Sequence, residues 1–179
     1  MHLLSLIGGG PYFDASVKSG DYSRSGMFTD PKWNWWELAG KTIGIIGLGN
    51  IGAKVAKIAE AFGMKVCYYS TSGTGHCKDY PCLELEELLK VSDIVSIHAP
   101  LNARTKNLIG REQLAMMKPT AYLVNAGRGA IIVEEDLAEA VDAGTIAGAG
   151  IDVFVTEPVP EDHPYLRMKH PERMRLTPH

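Results

Sequence analysis

The 179 residues are 45% hydrophobic, with a net charge of -3 and a pI near 6.1, which is enough chain to bury one substantial core as a single domain. A mildly acidic surface without a long Lys/Arg run argues against nucleic acid or an anionic membrane as partner, and no apolar stretch approaches the ~20 residues that span a bilayer. The apolar start, residues 1–10, lacks a basic n-region and a small-residue cleavage site, so it does not read as a signal peptide and the protein is expected in the cytoplasm.

Along the chain, residues 1–20 read as a connecting helix. Residues 21–38 read as an arm or loop that includes most of "DPKWNWWELAG". Its Trp33, Trp35 and Trp36 are expected to clamp against the domain's own flank rather than to form a binding surface. From 39 to 179, strand-like apolar runs at 42–46, 65–69, 94–98, 121–125, 147–153 and 174–176 alternate with helical patterns, the signature of a parallel sheet covered on both faces. Ile51, Val55, Ile58, Ala59 and Phe62 share one helical face between the first two strands. Leu85, Leu88 and Leu89 mark a shorter helix. Leu137 and Val141 mark another, opened by Glu134, Glu135 and Asp136, where the helix dipole favours acids, and stopped by Gly144. The cysteines Cys67, Cys77 and Cys82 contain no C-x-x-C pair, and the spacing of His76, Cys77 and Cys82 fits no common zinc pattern, so the cysteines read as ordinary thiols and no metal is expected.

Gly47, Gly49 and Gly52 form G-x-G-x-x-G directly after the first strand and at the start of a helix, a placement that makes the motif specific. The first glycine permits the tight turn, the second lets backbone amides approach a pyrophosphate, and the third lets helix and strand pack closely. The helix N-terminus then offers N–H groups to the phosphates. The expected fold is therefore α/β, a Rossmann-type doubly wound parallel sheet in three layers. The acid that usually holds the ribose 2′-hydroxyl about 20 residues on is replaced by Ser70, 18 residues after Gly52. A neutral side chain leaves NAD and NADP both admissible. An arginine for a 2′-phosphate is not evident, because the nearest following Lys or Arg is Lys78.

Further on come "VSIHAPLNARTKNLI", "LVNAGRGAIIVEEDLAEAV", "GAGIDVFVTEP" and "MRLTPH", in that order. With the glycine loop and "ELAGKTIGIIG", these resemble the nucleotide-binding domain of the D-isomer-specific 2-hydroxyacid dehydrogenases over nearly the whole chain. The resemblance implies an oxidoreductase that moves hydride between NAD or NADP and a 2-hydroxy/2-oxo acid, with D stereochemistry. It implies that Arg128 binds substrate, that Glu157 is its acid partner in the site, and that His179 is the catalytic histidine. Those residue types suit the chemistry: a guanidinium can grip the carboxylate and polarise the adjacent carbonyl, an imidazole can supply the proton, and a carboxylate can orient the ring and stabilise its charged form. Asp152 matches a position near the nicotinamide amide; Asn50, Ile51, Pro100, Thr105, Ala126 and Gly127 match cofactor-lining positions less distinctively.

His98 and His163 read as structural, and the Tyr-x-x-x-Lys spacing of Tyr165 and Lys169 as chance. Full-length enzymes of this family are nearly twice as long, with a substrate domain that is absent here, so the chain is expected to be a piece of a longer protein that binds cofactor but turns over little substrate. A homodimer through the nucleotide domain, with the arm before Glu37 as a candidate contact, is a further implication. A nucleotide-sensing regulator related to transcriptional corepressors is the competing reading. A formate-specific relative is disfavoured because that branch usually has an amide where Glu157 stands.

Overall fold

The computed structural model describes every residue except Asn34 and His76. Six strands, β1 Thr42–Ile46, β2 Lys65–Tyr69, β3 Ile94–Ile97, β4 Tyr122–Asn125, β5 Gly148–Ile151 and β6 Met174–Leu176, form one sheet in the order β2-β1-β3-β4-β5-β6. Every neighbouring pair is parallel. The chain runs from β1 to the edge strand β2 and then crosses back to β3, so the topological switch lies between β1 and β3, where open α/β sheets bind ligands at the carboxyl ends of their strands.

Alternation along β1 divides the core in two, since successive side chains of a strand point to opposite faces. Ile43 and Ile45 pack with Ile7 of helix α1 (His2–Gly8) and with Ala56 and Ala59 of helix α4 (Asn50–Ala61). Ile46 packs instead with Leu88 and Leu89 of α5 (Leu85–Val91), Leu114 of α6 (Arg111–Met116) and Leu137 and Val141 of α7 (Glu134–Asp142). The three layers expected from the sequence are present.

Two local expectations are corrected. The inner face of α4 is Gly52, Ala56 and Ala59, whereas Ile51 is 67% exposed and Ile58 and Phe62 are also exposed. Small residues win the sheet-facing positions because the helix lies so close that a Cβ on Gly52 would sit 2.3 Å from the Gly47 carbonyl oxygen. The N-terminal segment is not one connecting helix: it breaks at Gly9, which has φ 60°, into α1 and α2 (Gly10–Lys18), and the expected arm begins with a short helix α3 (Asp21–Ser25). A side chain at 9 would strike the Trp33 ring at 2.6 Å. Trp33 stacks on Tyr12 and donates its indole N–H to the Ile7 carbonyl, and Trp36 packs near Tyr122 beneath the Lys41 ammonium, while Trp35 is exposed. Of the residues weighed as metal ligands, Cys77 is half-buried and Cys82 exposed, and His76 lies outside the described residues.

Candidate active site and dinucleotide crevice

The glycine loop is shaped by its contacts. Gly47 turns at φ 92°, and a Cβ there would lie 2.8 Å from the Ala99 amide nitrogen at the end of β3, so the two strand ends meet at the switch point. Gly52 is equally crowded. Gly49, between them, has no protein atom within 4 Å of a built Cβ. Two glycines serve close packing and the third leaves open space at the N-terminus of α4, whose first turn carries no acid. That combination fits the pyrophosphate of a dinucleotide. Asn50 and Ile51 are exposed beside it.

After β2, Ser70 is buried and its hydroxyl donates to the Thr74 carbonyl at 2.7 Å, with the exposed Ser72 hydroxyl 3.0 Å away. The Ser70 side chain is thus largely used in folding its own loop. Across the crevice, the Arg104 guanidinium donates to the Ser72 carbonyl at 3.0 Å. After β3, Pro100 is exposed, but Thr105 is fully buried: its hydroxyl donates to the Pro100 carbonyl at 2.6 Å and accepts from the Asn102 amide at 2.9 Å. Thr105, expected to line the cofactor site, sets the course of residues 100–105 from inside its loop.

The turn after β4 is built by Asn125, which sequence reasoning passed over. Only 1% exposed, it accepts from the Gly127 amide and donates to the Arg128 carbonyl, both at 3.0 Å. Ala126 and Arg128, on either side of Gly127 in this turn, are exposed. The next residue, Gly129, has no room for a side chain: a Cβ would lie 2.1 Å from the Phe154 carbonyl carbon. The loop bearing Arg128 is thus pressed against the loop bearing Glu157. Glu134, the first residue of α7, fixes that second loop by accepting from the Val155 amide at 3.0 Å. Its other carboxylate oxygen lies 3.1 Å from Nε2 of the buried His163 ring, without the alignment of a hydrogen bond. Glu134 therefore does more than favour the helix dipole, and no periodicity marks that role.

Glu157 and His179, 22 residues apart, meet at 2.8 Å between Oε2 and Nδ1. The other oxygen of Glu157 accepts from the Phe154 amide at 2.9 Å. That amide is the largest influence holding the carboxyl below its ordinary value, followed by His179 and, through its charge, Arg128. Asp152, after β5, is held by a short hydrogen bond from the Thr177 hydroxyl, which also contacts His2. Burial lowers the His2 pKa against the opposing pull of Asp152. His98 contacts Ser96, and burial lowers its pKa, while Tyr165 is buried with its phenol pushed well above the usual range. The expected residues follow the carboxyl ends of β1 through β6 along a single edge of the sheet.

The whole chain, residues 1–179, matches the family model described as D-isomer specific 2-hydroxyacid dehydrogenase, NAD binding domain. A glyoxylate reductase of Aeropyrum pernix is 47% identical over 146 residues, 80% of this chain and 43% of that protein. Among solved structures, an acyclic imino acid reductase in complex with NADPH and D-Arg shares 34% identity at a TM-score of 0.85, over 99% of this chain and 54% of that one. An NAD-dependent formate dehydrogenase from Staphylococcus aureus in complex with NAD shares 32% identity at a TM-score of 0.85, over 100% of this chain and 53% of that one. The chain thus spans about half the length of these relatives. Its glycine loop, its strand order and this match over its full length make the chain a member of the D-isomer-specific 2-hydroxyacid dehydrogenase family, as the NAD-binding domain.

Proposed function

We propose that the protein carrying this domain reduces a small 2-oxo acid, glyoxylate being the first to try, to the 2-hydroxy acid, with D stereochemistry where the product is chiral. The observation that carries the reading is the Glu157–His179 contact at 2.8 Å, made across 22 residues and within reach of the Arg128 charge. When bound, the nicotinamide would supply the hydride. Gly47, Gly49, Asn50, Ile51 and Gly52 would hold its pyrophosphate, Pro100, Ala126 and Gly127 would line its path, and Asp152 would meet its amide. Arg128 would bind the substrate carboxylate through a forked pair of N–H donors. His179 would hold the proton that goes to the carbonyl oxygen, and Glu157 would keep the ring oriented and stabilise its protonated form. A carboxylate rather than an amide beside His179 favours a 2-oxo acid over formate.

On this reading a second, substrate-binding domain closes over the edge of the sheet. Three free thiols suit a reducing cytoplasm. The exposed Met27, Phe28 and Trp35 make the segment before Glu37 a candidate homodimer contact. The experiment is an assay of NADH and NADPH oxidation with glyoxylate, using the complete gene product. Arg128→Ala is expected to lower kcat/KM by about a hundredfold or more. Dinucleotide binding with no reduction of any 2-oxo acid, and a partner protein captured only when the dinucleotide is bound, would instead establish the sensing regulator.

A further inference from the structure

We infer that Arg104, delivered from the loop after β3, reads a 2′-phosphate on the adenine ribose and makes this a site for NADPH in preference to NADH. The inference rests on the reading of the crevice as a dinucleotide site. In that geometry the residue at the end of the second strand decides what the ribose carries: an acid binds the 2′-hydroxyl and repels a phosphate, and a nearby arginine accommodates one. Ser70 removes the repulsion. The cation comes from 34 residues further along the chain and is brought over by the fold.

The seat of the guanidinium is built. Residues 100–105 are locked by the Thr105 hydroxyl, and the Arg104 amide donates to the Asn102 side chain at 2.8 Å, which fixes where the arginine leaves the loop. Opposite it stands Gly73, at φ 87°, where a Cβ would lie 3.4 Å from the Arg104 Nη1. A larger side chain there would crowd the guanidinium. Arg104 spends one N–H on the Ser72 carbonyl. No described carboxylate pairs with it. Four of the five donors of a guanidinium are thus left for an anion, beside the exposed Ser72 hydroxyl. A phosphate dianion matches a forked donor of this kind, whereas a ribose hydroxyl gains little from it.

The test is calorimetric titration of the 179-residue chain with NADPH and with NADH at matched salt, for the parent sequence, Arg104→Ala and Arg104→Glu. We expect NADPH to bind at least about tenfold tighter than NADH in the parent sequence. Arg104→Ala should bring the two within about twofold by weakening NADPH alone, and Arg104→Glu should make NADH the tighter ligand. Arg104 is exposed, so the thermal midpoint of the alanine variant should stay within about 2 °C of the parent. Equal affinities in the parent sequence would overturn the inference, as would an alanine variant that weakens both cofactors alike, since Arg104 would then only staple two loops. If neither cofactor binds, the dinucleotide reading falls and takes this inference with it.

Discussion

Glu157 accepts a hydrogen bond from the Phe154 amide on one oxygen and faces the His179 ring on the other, and the two contacts weigh differently on its proton. The backbone bond is the larger cause of the lowered pKa, His179 the next, and the Arg128 charge a smaller one. The sign follows from linkage. A carboxylate whose pKa is depressed by folding contributes stability above its unfolded value, and that contribution is lost as pH falls through the folded one. Glu157 is solvent-exposed, so its effect on stability is small and the pKa itself is the better readout. Carbon-13 NMR of the Glu157 carboxyl should give a midpoint below the ordinary 4.5, and His179→Ala should leave it still below 4.5, because the Phe154 amide remains. A return to 4.5 or above in that variant would mean that the histidine dominates. In the parent chain the lowered pKa favours the charged carboxylate, the form that the orienting role proposed for Glu157 calls for.

The loop from β1 to α4 separates folding from binding within four residues. Gly52→Ala puts a methyl group against the Gly47 carbonyl and should cost about 1–3 kcal/mol through overpacking. Gly49→Ala meets no protein atom within 4 Å and has a backbone, φ -83° and ψ -161°, that alanine adopts freely. Its thermal midpoint should stay within about 2 °C of the parent, while affinity for either dinucleotide falls about tenfold or more as the methyl group occupies the approach to the phosphates. A Gly49→Ala chain that binds as the parent does would show that the open space at this loop is not the phosphate site. At this scale the sequence was most legible. Each strand shows as a short apolar run, and the glycine triplet gives both turn and helix start. The extra length expected around β5 is also explained: the Ala147 amide bonds to the Ala121 carbonyl and the Asp152 amide to the Asn125 carbonyl, so the ladder outlasts the strand. What escaped was set by distance in three dimensions. Periodicity places bulky residues inward, yet α4 turns its small ones to the sheet, because only those permit the approach that Gly52 makes. Asn125, Glu134 and Arg104 act through contacts with turns and loops, which carry no repeat in the sequence.

Across the whole molecule, one parallel sheet puts the carboxyl ends of six strands along a single edge, and residues far apart in sequence become neighbours there. The His179 and Glu157 side chains are 49% and 36% exposed, and Arg128 is exposed as well. In water such a pair orients weakly, because solvent screens the charges and competes for each hydrogen bond. Delivering hydride to a carbonyl next to a carboxylate calls for a site that excludes water and fixes the acceptor. The geometry therefore separates two capacities: the open space at the glycine loop lies among residues of this chain, whereas the His179, Glu157 and Arg128 side chains stand on an open face. The 179-residue chain should bind a dinucleotide, detected by quenching of tryptophan fluorescence, yet reduce glyoxylate at least about a hundredfold more slowly than the complete gene product at saturating cofactor. Saturation with glyoxylate should not restore the rate, since the missing term is exclusion of water and orientation rather than occupancy. A 179-residue chain that matches the complete protein in kcat would show that the open edge is sufficient for catalysis and that no closing domain is required.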